Sequence, residues 1–306
     1  MYLFPQPEAI KTEVFASVPD RYRKKNLVTH WVETHRGGAP TNCFLEGPSF
    51  DRAGNLYITD IPFGRIFRVS PAGKFNLVTE YEGEPNGLKI HKDGRIFITD
   101  HKNGILLLDP SSGKVTPFLE RCHAEGFKGV NDLVFGMNGD MYFTDQGQTG
   151  LQDPSGRVLR LTPAGKLKTL IQNVPSPNGL VLNPSEKILY VAVTRSNAIW
   201  RLPLHPDGTT SKVGVFIQLS GGIGPDGIAI DESGGLAIAH VGMGVVWLFD
   251  NKGIPTLKIE SCRGDMVTNV AYGGPTRQTL YIIESQTGTI LKAQVPVAGR
   301  IMYSHM

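Results

Sequence analysis

A unit of 40 to 48 residues recurs six times along this sequence, and few protein architectures are built in that way. Each copy has a small polar entry followed by three or four short apolar runs, with a glycine-containing turn between successive runs. We call the first polar residue of each copy its anchor residue. The six anchor residues are Glu46, Asn86, Asn131, Asn178, Asp226 and Asn269. Their spacings of 40, 45, 47, 48 and 43 residues are typical of the blades of a β-propeller.

The runs between the turns have the composition of β-strands. They are rich in Val, Ile, Leu, Tyr and Phe, and dipeptides that favour hairpins bound them, such as Asp93-Gly94 and Asn138-Gly139. The 36 glycines and 21 prolines among 306 residues exceed the ~12% that these residues usually contribute together, which argues against a mainly helical protein. We therefore predict an all-β, six-bladed β-propeller. Its blades of about four antiparallel strands are expected to begin near residues 46, 86, 131, 178, 226 and 269.

A propeller must also close into a ring. The sixth unit ends near Val295 after three clear strands, whereas the segment 11–18 (KTEVFASV) has the composition of a strand. We predict that the segment 11–18 completes the last blade as its outer strand, which leaves no unpaired edge. No stretch between the repeats resembles a linker, so residues 1–306 are predicted to form a single domain. Two β-sandwiches or a solenoid fit this pattern less well.

The anchor residues are expected to meet at one mouth of the central channel. Each precedes the first strand of its blade in the same register, and that strand lies nearest the axis of a propeller. All six side chains carry oxygen, two of them as carboxylates, and such a set suits Ca²⁺. Any single Asn or Asp before Gly can equally be an ordinary turn residue. The sequence has neither an HExxH motif nor Cys and His pairs at ligand spacing, so it gives no indication of a zinc site.

The pocket walls are expected to come from the ends of the second strands, about 14 residues after the anchor residues. The residues there are Asp60, Asp100, Asp145, His240 and, one position further on, Glu284. An aspartate that ends a strand often caps the next turn, which is the alternative for Asp60 and Asp100. His240 could donate to the substrate or relay a proton, or it could be a satisfied buried histidine. The insertion 146–152 is a candidate lid or specificity loop.

Four phrases of this sequence, in this order, resemble the SMP-30/gluconolactonase/LRE-like family. They are LEGPSFD at 45–51, VNDL at 130–133, PNGL at 177–180 and PDGI at 225–228. The resemblance implies a calcium-dependent six-bladed propeller, in a family that includes gluconolactonases, other lactonases and a phosphotriesterase-like fluorophosphatase. It also implies a set of metal ligands and a general base. The implied ligands are Glu46, Asn131, Asn178 and Asp226, and Asp226 is the implied base.

Departures from the family's pattern limit what the resemblance implies. Some members have an arginine that holds a sugar lactone two residues before the blade-three Asn. This chain has Gly129 there, so aldonolactone specificity of that type is not expected. The fluorophosphatase branch holds a second, structural calcium with an Asp and a His at the positions of Ala229 and Ala271. One Ca²⁺ site is therefore expected, and other divalent cations such as Mg²⁺, Mn²⁺ or Zn²⁺ can replace Ca²⁺ in an oxygen cage.

The leading hypothesis is a Ca²⁺-dependent hydrolase that opens a lactone or cyclic ester, with the metal as Lewis acid and Asp226 as general base. Phosphotriester hydrolysis or a metal-assisted isomerisation on the same site are alternatives, and a non-catalytic, ligand-binding propeller is another. The sequence contains no GxSxG motif, which argues against a serine hydrolase. The residues expected to contact the substrate are Asn86, Asn131, Asp145, Gln146, His240 and Asn269.

The expected partner is a small lactone or ester rather than a nucleic acid or a membrane. The formal net charge of +3 is small, which argues against a strongly basic surface for nucleic acid. The sequence has no basic segment followed by a long apolar run, so a signal peptide is not expected. Three cysteines without CxxC spacing are typical of a reduced, cytoplasmic protein. The oligomeric state, monomer or homodimer, is left open.

Overall fold

Six β-sheets surround a central channel in the computed structural model, which describes residues 6–306. In five sheets four antiparallel strands follow one another along the chain, and one of these sheets gains a fifth, parallel strand. The remaining sheet takes its outer strand from near the N-terminus. The predicted six-bladed β-propeller is thereby confirmed. The blades form because each short apolar run ends in a tight turn, so that every strand can pair only with its predecessor and its successor.

The first three blades follow one another along the chain, and their strands are given from the axis outward. The strands of blade one are Leu45–Phe50, Leu56–Asp60, Arg65–Val69 and Phe75–Glu80. The strands of blade two are Pro85–Ile90, Ile96–Asp100, Gly104–Leu108 and Val115–Leu119. The strands of blade three are Val130–Phe135, Met141–Asp145, Gly156–Leu161 and Leu167–Val174. A small hairpin of Arg121–Cys122 and Glu125–Gly126 lies between blades two and three in sequence.

The last three blades repeat this arrangement. The strands of blade four are Pro177–Leu182, Ile188–Val193, Ala198–Pro203 and Gly214–Gln218. The strands of blade five are Gly224–Ile230, Leu236–Val241, Val245–Phe249 and Pro255–Glu260. The chain's later part supplies three strands to blade six, which are Val267–Gly273, Thr279–Glu284 and Thr289–Gln294.

Two strands near the N-terminus complete the ring. Glu13–Ser17 pairs antiparallel with Thr289–Gln294 and is the outer strand of blade six, as the segment 11–18 was predicted to be. Glu8–Lys11 pairs in parallel with Pro255–Glu260 and becomes a fifth strand of blade five, which was not predicted. One short stretch of chain therefore joins the two last blades and covers both of their outer edges.

The remaining regular elements are short. The α-helix is His30–Arg36, with the Thr29 hydroxyl accepting a hydrogen bond from the Val32 amide at its start. The 3₁₀ helices are Asp20–Tyr22, Ile61–Phe63, Thr194–Ser196 and Tyr303–His305. None of the helices within residues 6–306 has the length and apolar character that crossing a membrane requires.

The hydrophobic core lies between neighbouring blades rather than at one centre. Val246 and Ile259 of blade five, for example, belong to one buried cluster with Leu280 and Leu291 of blade six. Alternate residues of each strand face the next blade, because successive side chains of a strand point to opposite faces of the sheet. The innermost strands are left to line the channel, and their polar ends bring the candidate site together.

Candidate active site

The anchor residues lie where the innermost strands depart from regular pairing. In each blade the pairing between the first two strands shifts register beside the anchor residue, as between Glu46 and Ser49 in blade one and between Pro225 and Ile228 in blade five. A bulge of this kind redirects a side chain. Five anchor residues line a single cavity of about 210 Å³ at one end of the channel. They are Glu46, Asn86, Asn131, Asn178 and Asp226.

Threonines of the second strands hold three of the anchor residues in place. The hydroxyl of Thr59 donates to the backbone carbonyl of Asn86 in the next blade, at 2.7 Å. The hydroxyl of Thr144 donates in the same way to the carbonyl of Asn178, at 2.8 Å. Thr99 does the same for Asn131. Each of these bonds joins one blade to the next, so the recurring Thr-Asp pair of the sequence sets the positions of the site residues.

The aspartates of these pairs point away from the cavity. Asp145 accepts hydrogen bonds from the amides of Lys128 and Gly129, at 2.7 and 2.9 Å, and forms an ion pair with Arg157. Asp60 and Asp100 accept backbone hydrogen bonds in the same way, which is the capping role that was their alternative. The structure does not place Asp145 among the residues that line the cavity. The expectation that Asp145 contacts substrate is therefore not supported, because its oxygens are committed to the backbone.

His240 is also held behind the wall of the cavity. Its Nε2 donates to the Gly221 carbonyl at 3.0 Å, and its Nδ1 accepts from the Trp247 indole at 3.1 Å. Both ring nitrogens are therefore used, and the ring must be neutral for Nδ1 to accept. Burial lowers the pKa of His240 and so favours this neutral form. This arrangement is the satisfied buried histidine of the two alternatives, and His240 does not line the cavity.

Glu46 is a buried carboxylate oriented by its neighbours. Its Oε2 accepts hydrogen bonds from the Gly47 amide at 2.8 Å and from Asn269 Nδ2 at 2.7 Å. The Asn269 oxygen accepts from the Val270 amide, so both ends of that side chain are used. Burial raises the pKa of Glu46 to about 7, although the two hydrogen bonds act in the opposite direction. Asn269 thus positions Glu46 and does not itself line the cavity.

Asp226 is the second carboxylate of the cavity. The loss of surrounding water raises its pKa well above the ordinary value, and the negative charges of Glu46 and Asp132 add to this effect. Neither Asp226 nor Glu46 forms an ion pair with a basic side chain within residues 6–306. The charge of Arg195, which also lines the cavity, lowers the pKa of Asp226 but does not offset these effects. Two buried carboxylates without a basic side chain at ion-pair distance are costly to ionise, so the site is electrostatically suited to a bound cation.

Asn131 and Asn178 both line this cavity, and their amide nitrogens have partners in it. Asn131 Nδ2 donates to Gln146 Oε1 at 2.8 Å, and Asn178 Nδ2 donates to the Thr194 hydroxyl at 3.2 Å. Neither side-chain oxygen accepts a hydrogen bond from the part of the chain that the structure describes. Gln146 also lines the cavity, and its own amide nitrogen donates to Ser176 at 2.8 Å. Gln146 therefore holds the Asn131 amide with its oxygen free.

Asp132 is a functional candidate that the sequence reasoning missed. Its side chain is buried and lies close enough to Glu46 and Asp226 to raise the pKa of both. Lys89 Nζ lies 3.4 Å from Asp132 Oδ1 and balances its charge. A signal was present, since four blades have glycine directly after the anchor residue and blade three has Asp132. That departure from the repeat could have identified it.

The short helix His30–Arg36 forms part of the mouth of the cavity. Trp31, His35 and Arg36 line the cavity, and the Trp31 ring packs against Phe44 with 4.8 Å between ring centres. From the other side the insertion 146–152 approaches, and Gln148 Nε2 donates to His35 Nε2 at 2.7 Å. The insertion therefore lies at the mouth, where a specificity loop would lie. The helix was not predicted to contribute to the site.

The composition of the donor set decides which metals it suits. Within residues 6–306 no group of three His, Cys, Asp or Glu side chains is arranged to hold a metal ion. The set here is instead two carboxylates and amide oxygens, which are ligands for a hard cation such as Ca²⁺. The remaining cavity wall is partly apolar. Its apolar members are Trp31, Phe44, Ile61, Ile223, Val241 and Met266.

A family model described as the SMP-30/Gluconolactonase/LRE-like region matches residues 44–286. The chain belongs to this family. Among its relatives is a lactonase drp35 of Staphylococcus aureus (strain MRSA252), 35% identical over 237 residues that cover 74% of this chain and 71% of the relative. A lactonase drp35 of Staphylococcus epidermidis is 35% identical over 223 residues, covering 69% of this chain and 67% of the relative.

Solved structures share the fold of this family member at lower sequence identity. One is regucalcin of Agrobacterium tumefaciens, described as a calcium-binding protein, with a TM-score of 0.76, 22% identity and coverage of 97% of this chain and 98% of the other. A gluconolactonase of Xanthomonas campestris has a TM-score of 0.75 and 22% identity, with coverage of 93% and 98%. These likenesses support the propeller fold.

The structure also explains one departure from the family's pattern. Gly129 has a φ of +147°, and a Cβ built on it would collide with the His101 ring. His101 therefore occupies the space into which a side chain at this position would extend. At the other departures, Ala229 and Ala271 place methyl groups against an apolar cavity at the opposite end of the channel. That the family member holds a single metal stays a prediction.

Proposed function

We propose that this protein is a Ca²⁺-dependent lactonase, a hydrolase that opens a lactone or cyclic ester. The observation that carries the proposal is the cavity in which Glu46 and Asp226 meet without an ion pair to any basic side chain of the described residues. The amide oxygens of Asn131 and Asn178 complete a set of four ligands. Membership of the family and the lactonase relatives at 35% identity support the same activity.

The ligand set leaves room for a substrate. Four protein oxygens satisfy only part of the six to eight that Ca²⁺ usually takes, so the open positions can be filled by water and substrate. When bound, the cation polarises the lactone carbonyl and compensates the negative charge that develops on its oxygen. Asn86 lines the cavity beside the proposed ligands, which supports a role for its amide as a hydrogen-bond donor to the substrate.

Asp226 is the proposed general base. Its carboxylate takes a proton from the attacking water while the water oxygen forms a bond to the carbonyl carbon. The ring C–O bond then breaks, and the protonated Asp226 returns its proton to the ring oxygen, which becomes the hydroxyl of the product. The net change adds one water to the lactone and yields a hydroxy acid, which ionises. A cation beside Asp226 favours its ionised form and so makes it ready to accept the proton.

Metal analysis combined with a substrate panel tests this proposal. We expect about one divalent cation per chain, lactone hydrolysis that a chelator abolishes, and recovery on addition of Ca²⁺. The panel contains γ-butyrolactone, an aromatic lactone and a phosphotriester, each assayed with and without chelator. Hydrolysis of the phosphotriester alone would favour the phosphotriesterase alternative. A metal-free protein that hydrolyses lactones at the same rate in chelator would contradict the proposal.

A further inference from the structure

Two arginines at the mouth of the cavity have no carboxylate partner among the described residues. Arg36 is the last residue of the helix His30–Arg36, and Arg195 lies in the 3₁₀ helix Thr194–Ser196. Both line the cavity that holds Glu46 and Asp226. Within residues 6–306 neither guanidinium forms an ion pair or donates a hydrogen bond. Arg195 is exposed, as arginines without an ion pair usually are, whereas Arg36 is half-buried, so the missing partner of Arg36 requires a chemical explanation.

Other buried or half-buried arginines of the molecule are paired with a carboxylate. These pairs are Arg65–Asp60, Arg157–Asp145, Arg160–Asp140 and Arg300–Glu186. By contrast, the Nε of Arg36 is buried and has no hydrogen-bond partner. A buried donor without a partner is unfavourable, so an anionic ligand that pairs with Arg36 recovers the lost hydrogen bond. The Arg36 guanidinium lies 5.8 Å from the centre of the Phe44 ring, which steadies it at the mouth.

No carboxylate of the described chain lies within ion-pair distance of Arg36 or Arg195, although the charge of Arg195 does act on Asp226. Asp132 is balanced by Lys89. Glu46 and Asp226 carry two negative charges when ionised, and one divalent cation among them balances both. Arg36 and Arg195 then remain as two positive charges at the entrance, where low-dielectric walls strengthen the attraction of an anion. A neutral substrate would leave both unpaired.

We propose that Arg36 and Arg195 bind a carboxylate that the substrate carries in addition to its ester, so that the preferred substrates are small anionic lactones. This inference rests on the proposed lactonase function and specifies its substrate class. The cavity of about 210 Å³ is smaller than the ~300–1,000 Å³ of sites for drug-sized ligands, so it suits a single five- or six-membered ring with a short acidic substituent. Guanidinium groups bind carboxylates through two parallel hydrogen bonds, which also orients the ring.

Binding measurements test the site without requiring turnover. Isothermal titration calorimetry with the Ca²⁺-loaded protein compares 2-(hydroxymethyl)succinate, which has two carboxylates, with 4-hydroxybutyrate, which has one. We expect the dicarboxylate to bind at least about tenfold more tightly. Arg36→Gln and Arg195→Gln should each lose about tenfold in affinity for the dicarboxylate and less than about twofold for the monocarboxylate. Arg195→Lys should retain part of the preference, because the charge remains while the paired geometry is lost.

Arg201→Gln is the matched control. Arg201 is an exposed arginine of the same blade as Arg195, it forms no ion pair within the described chain, and it does not line the cavity. Its substitution should leave both affinities unchanged. Equal affinities for the two ligands in the unsubstituted protein would overturn the inference. So would an equal loss for both ligands in the two glutamine variants, since that result indicates general attraction rather than a carboxylate site.

Turnover separates this inference from the proposed function. The values of kcat/KM are compared for γ-butyrolactone and for 5-oxooxolane-3-carboxylate, which is the same ring with one carboxylate. A preference for the anionic lactone that disappears in Arg195→Gln supports both proposals. Equal kcat/KM values mean that the protein is a lactonase without the anion site. Hydrolysis of neither lactone, together with arginine-dependent binding of the dicarboxylate, means that the anion site stands and the lactonase proposal fails for these rings.

Discussion

The two ends of the central channel have opposite chemistry although five of the innermost strands contribute residues to both. At one end lies the cavity of the anchor residues, where Glu46 and Asp226 form no ion pair with a basic side chain of residues 6–306. At the other end an apolar cavity of about 110 Å³ is lined by strand residues such as Ile90, Leu180 and Ile228, and the C-terminal segment covers it. The carboxylates at the first end are available to bind a ligand, whereas the second end buries apolar surface and stabilises the fold. The functional site and this stabilising contact therefore lie at opposite ends of the channel.

The C-terminal segment shows how the apolar end is closed. Tyr303 stacks on Phe135 with 5.4 Å between ring centres and contacts the edge of His91 at 4.9 Å. Arg300 donates to the carbonyl of Leu182 at 3.1 Å and pairs with Glu186. This segment therefore ties blades two, three and four together after the last strand of blade six. Polar groups here are paired, in contrast to the open mouth.

Replacing one carboxylate at each end gives the largest expected contrast. Asp226→Asn should lower kcat/KM on a lactone by about 10²–10⁴-fold, because it removes the general base and one ligand charge. The metal-free variant should unfold at the same or a higher temperature, since an uncompensated buried charge is lost. Steady-state kinetics, metal analysis and thermal unfolding provide these measurements.

Asp231→Asn is the control for this comparison. Asp231 follows the same innermost strand at its other end, where it accepts hydrogen bonds from the amides of Ser233 and Gly235. An asparagine can still accept them, so kinetics and metal content should not change. An Asp226→Asn protein with normal activity would rule out the proposed base.

Stability should respond most at the apolar end. Tyr303→Ala should lower the free energy of unfolding by about 3 kcal/mol, because it removes a buried ring that stacks on Phe135. Urea denaturation measures the change, and Tyr303→Phe should be close to neutral. The kcat of the folded fraction should stay the same. A large loss of metal affinity in Tyr303→Ala would show that the two ends are coupled and would break the comparison.

Positioning of Glu46 is expected to matter at the polar end alone. Asn269→Leu removes the hydrogen bond to Glu46 Oε2, so Ca²⁺ affinity should fall by about 10–100-fold, the range seen when partners of metal ligands are lost. Competition with a calcium chelator dye measures the affinity. Asn269→Asp retains the shape of the side chain but adds a charge beside Glu46. We expect this substitution to lower the free energy of unfolding. Unchanged calcium affinity in Asn269→Leu would mean that Glu46 needs no such support.

The smallest expected effect is a pH dependence of the C-terminal segment. Burial lowers the pKa of His305, Arg52 and Arg277 add to this effect, and Asp51 opposes it. Since the folded protein favours neutral His305, its contribution to stability is present above the unfolded pKa of about 6.5 and is lost as the pH falls below it. Hydrogen exchange of residues 303–306, corrected for the intrinsic rate, should be slightly faster at pH 5 than at pH 7. His305→Gln should remove the difference, and a wild-type segment equally protected at both pH values would contradict this expectation.

The blades could be predicted because their causes are local. Hairpin dipeptides such as Asp93-Gly94 act within a few residues, and the repeat period then implies the ring. The closing strand Glu13–Ser17 could be found because blade six lacked one strand. The common cavity of Glu46 and Asp226 followed from their equivalent positions in the repeat. The periodicity of the sequence was therefore sufficient to predict most of the fold and the central residues of the candidate site.

Equivalent positions in the repeat were not enough to predict which residues around Glu46 and Asp226 face the cavity. Asp145 and His240 end second strands as expected, yet the amides of Lys128 and Gly129 and the Trp247 indole take up their polar atoms. Asp132 departs from the glycine that four blades have at its position, and the helix His30–Arg36 lies outside the repeats, so equivalence between repeats predicted neither at the site. Whether a polar side chain faces the cavity depends on whether groups from distant segments form hydrogen bonds with it elsewhere. The repeat therefore specified where six strands meet, whereas only packing between blades and loops settled which oxygen atoms stay free to bind.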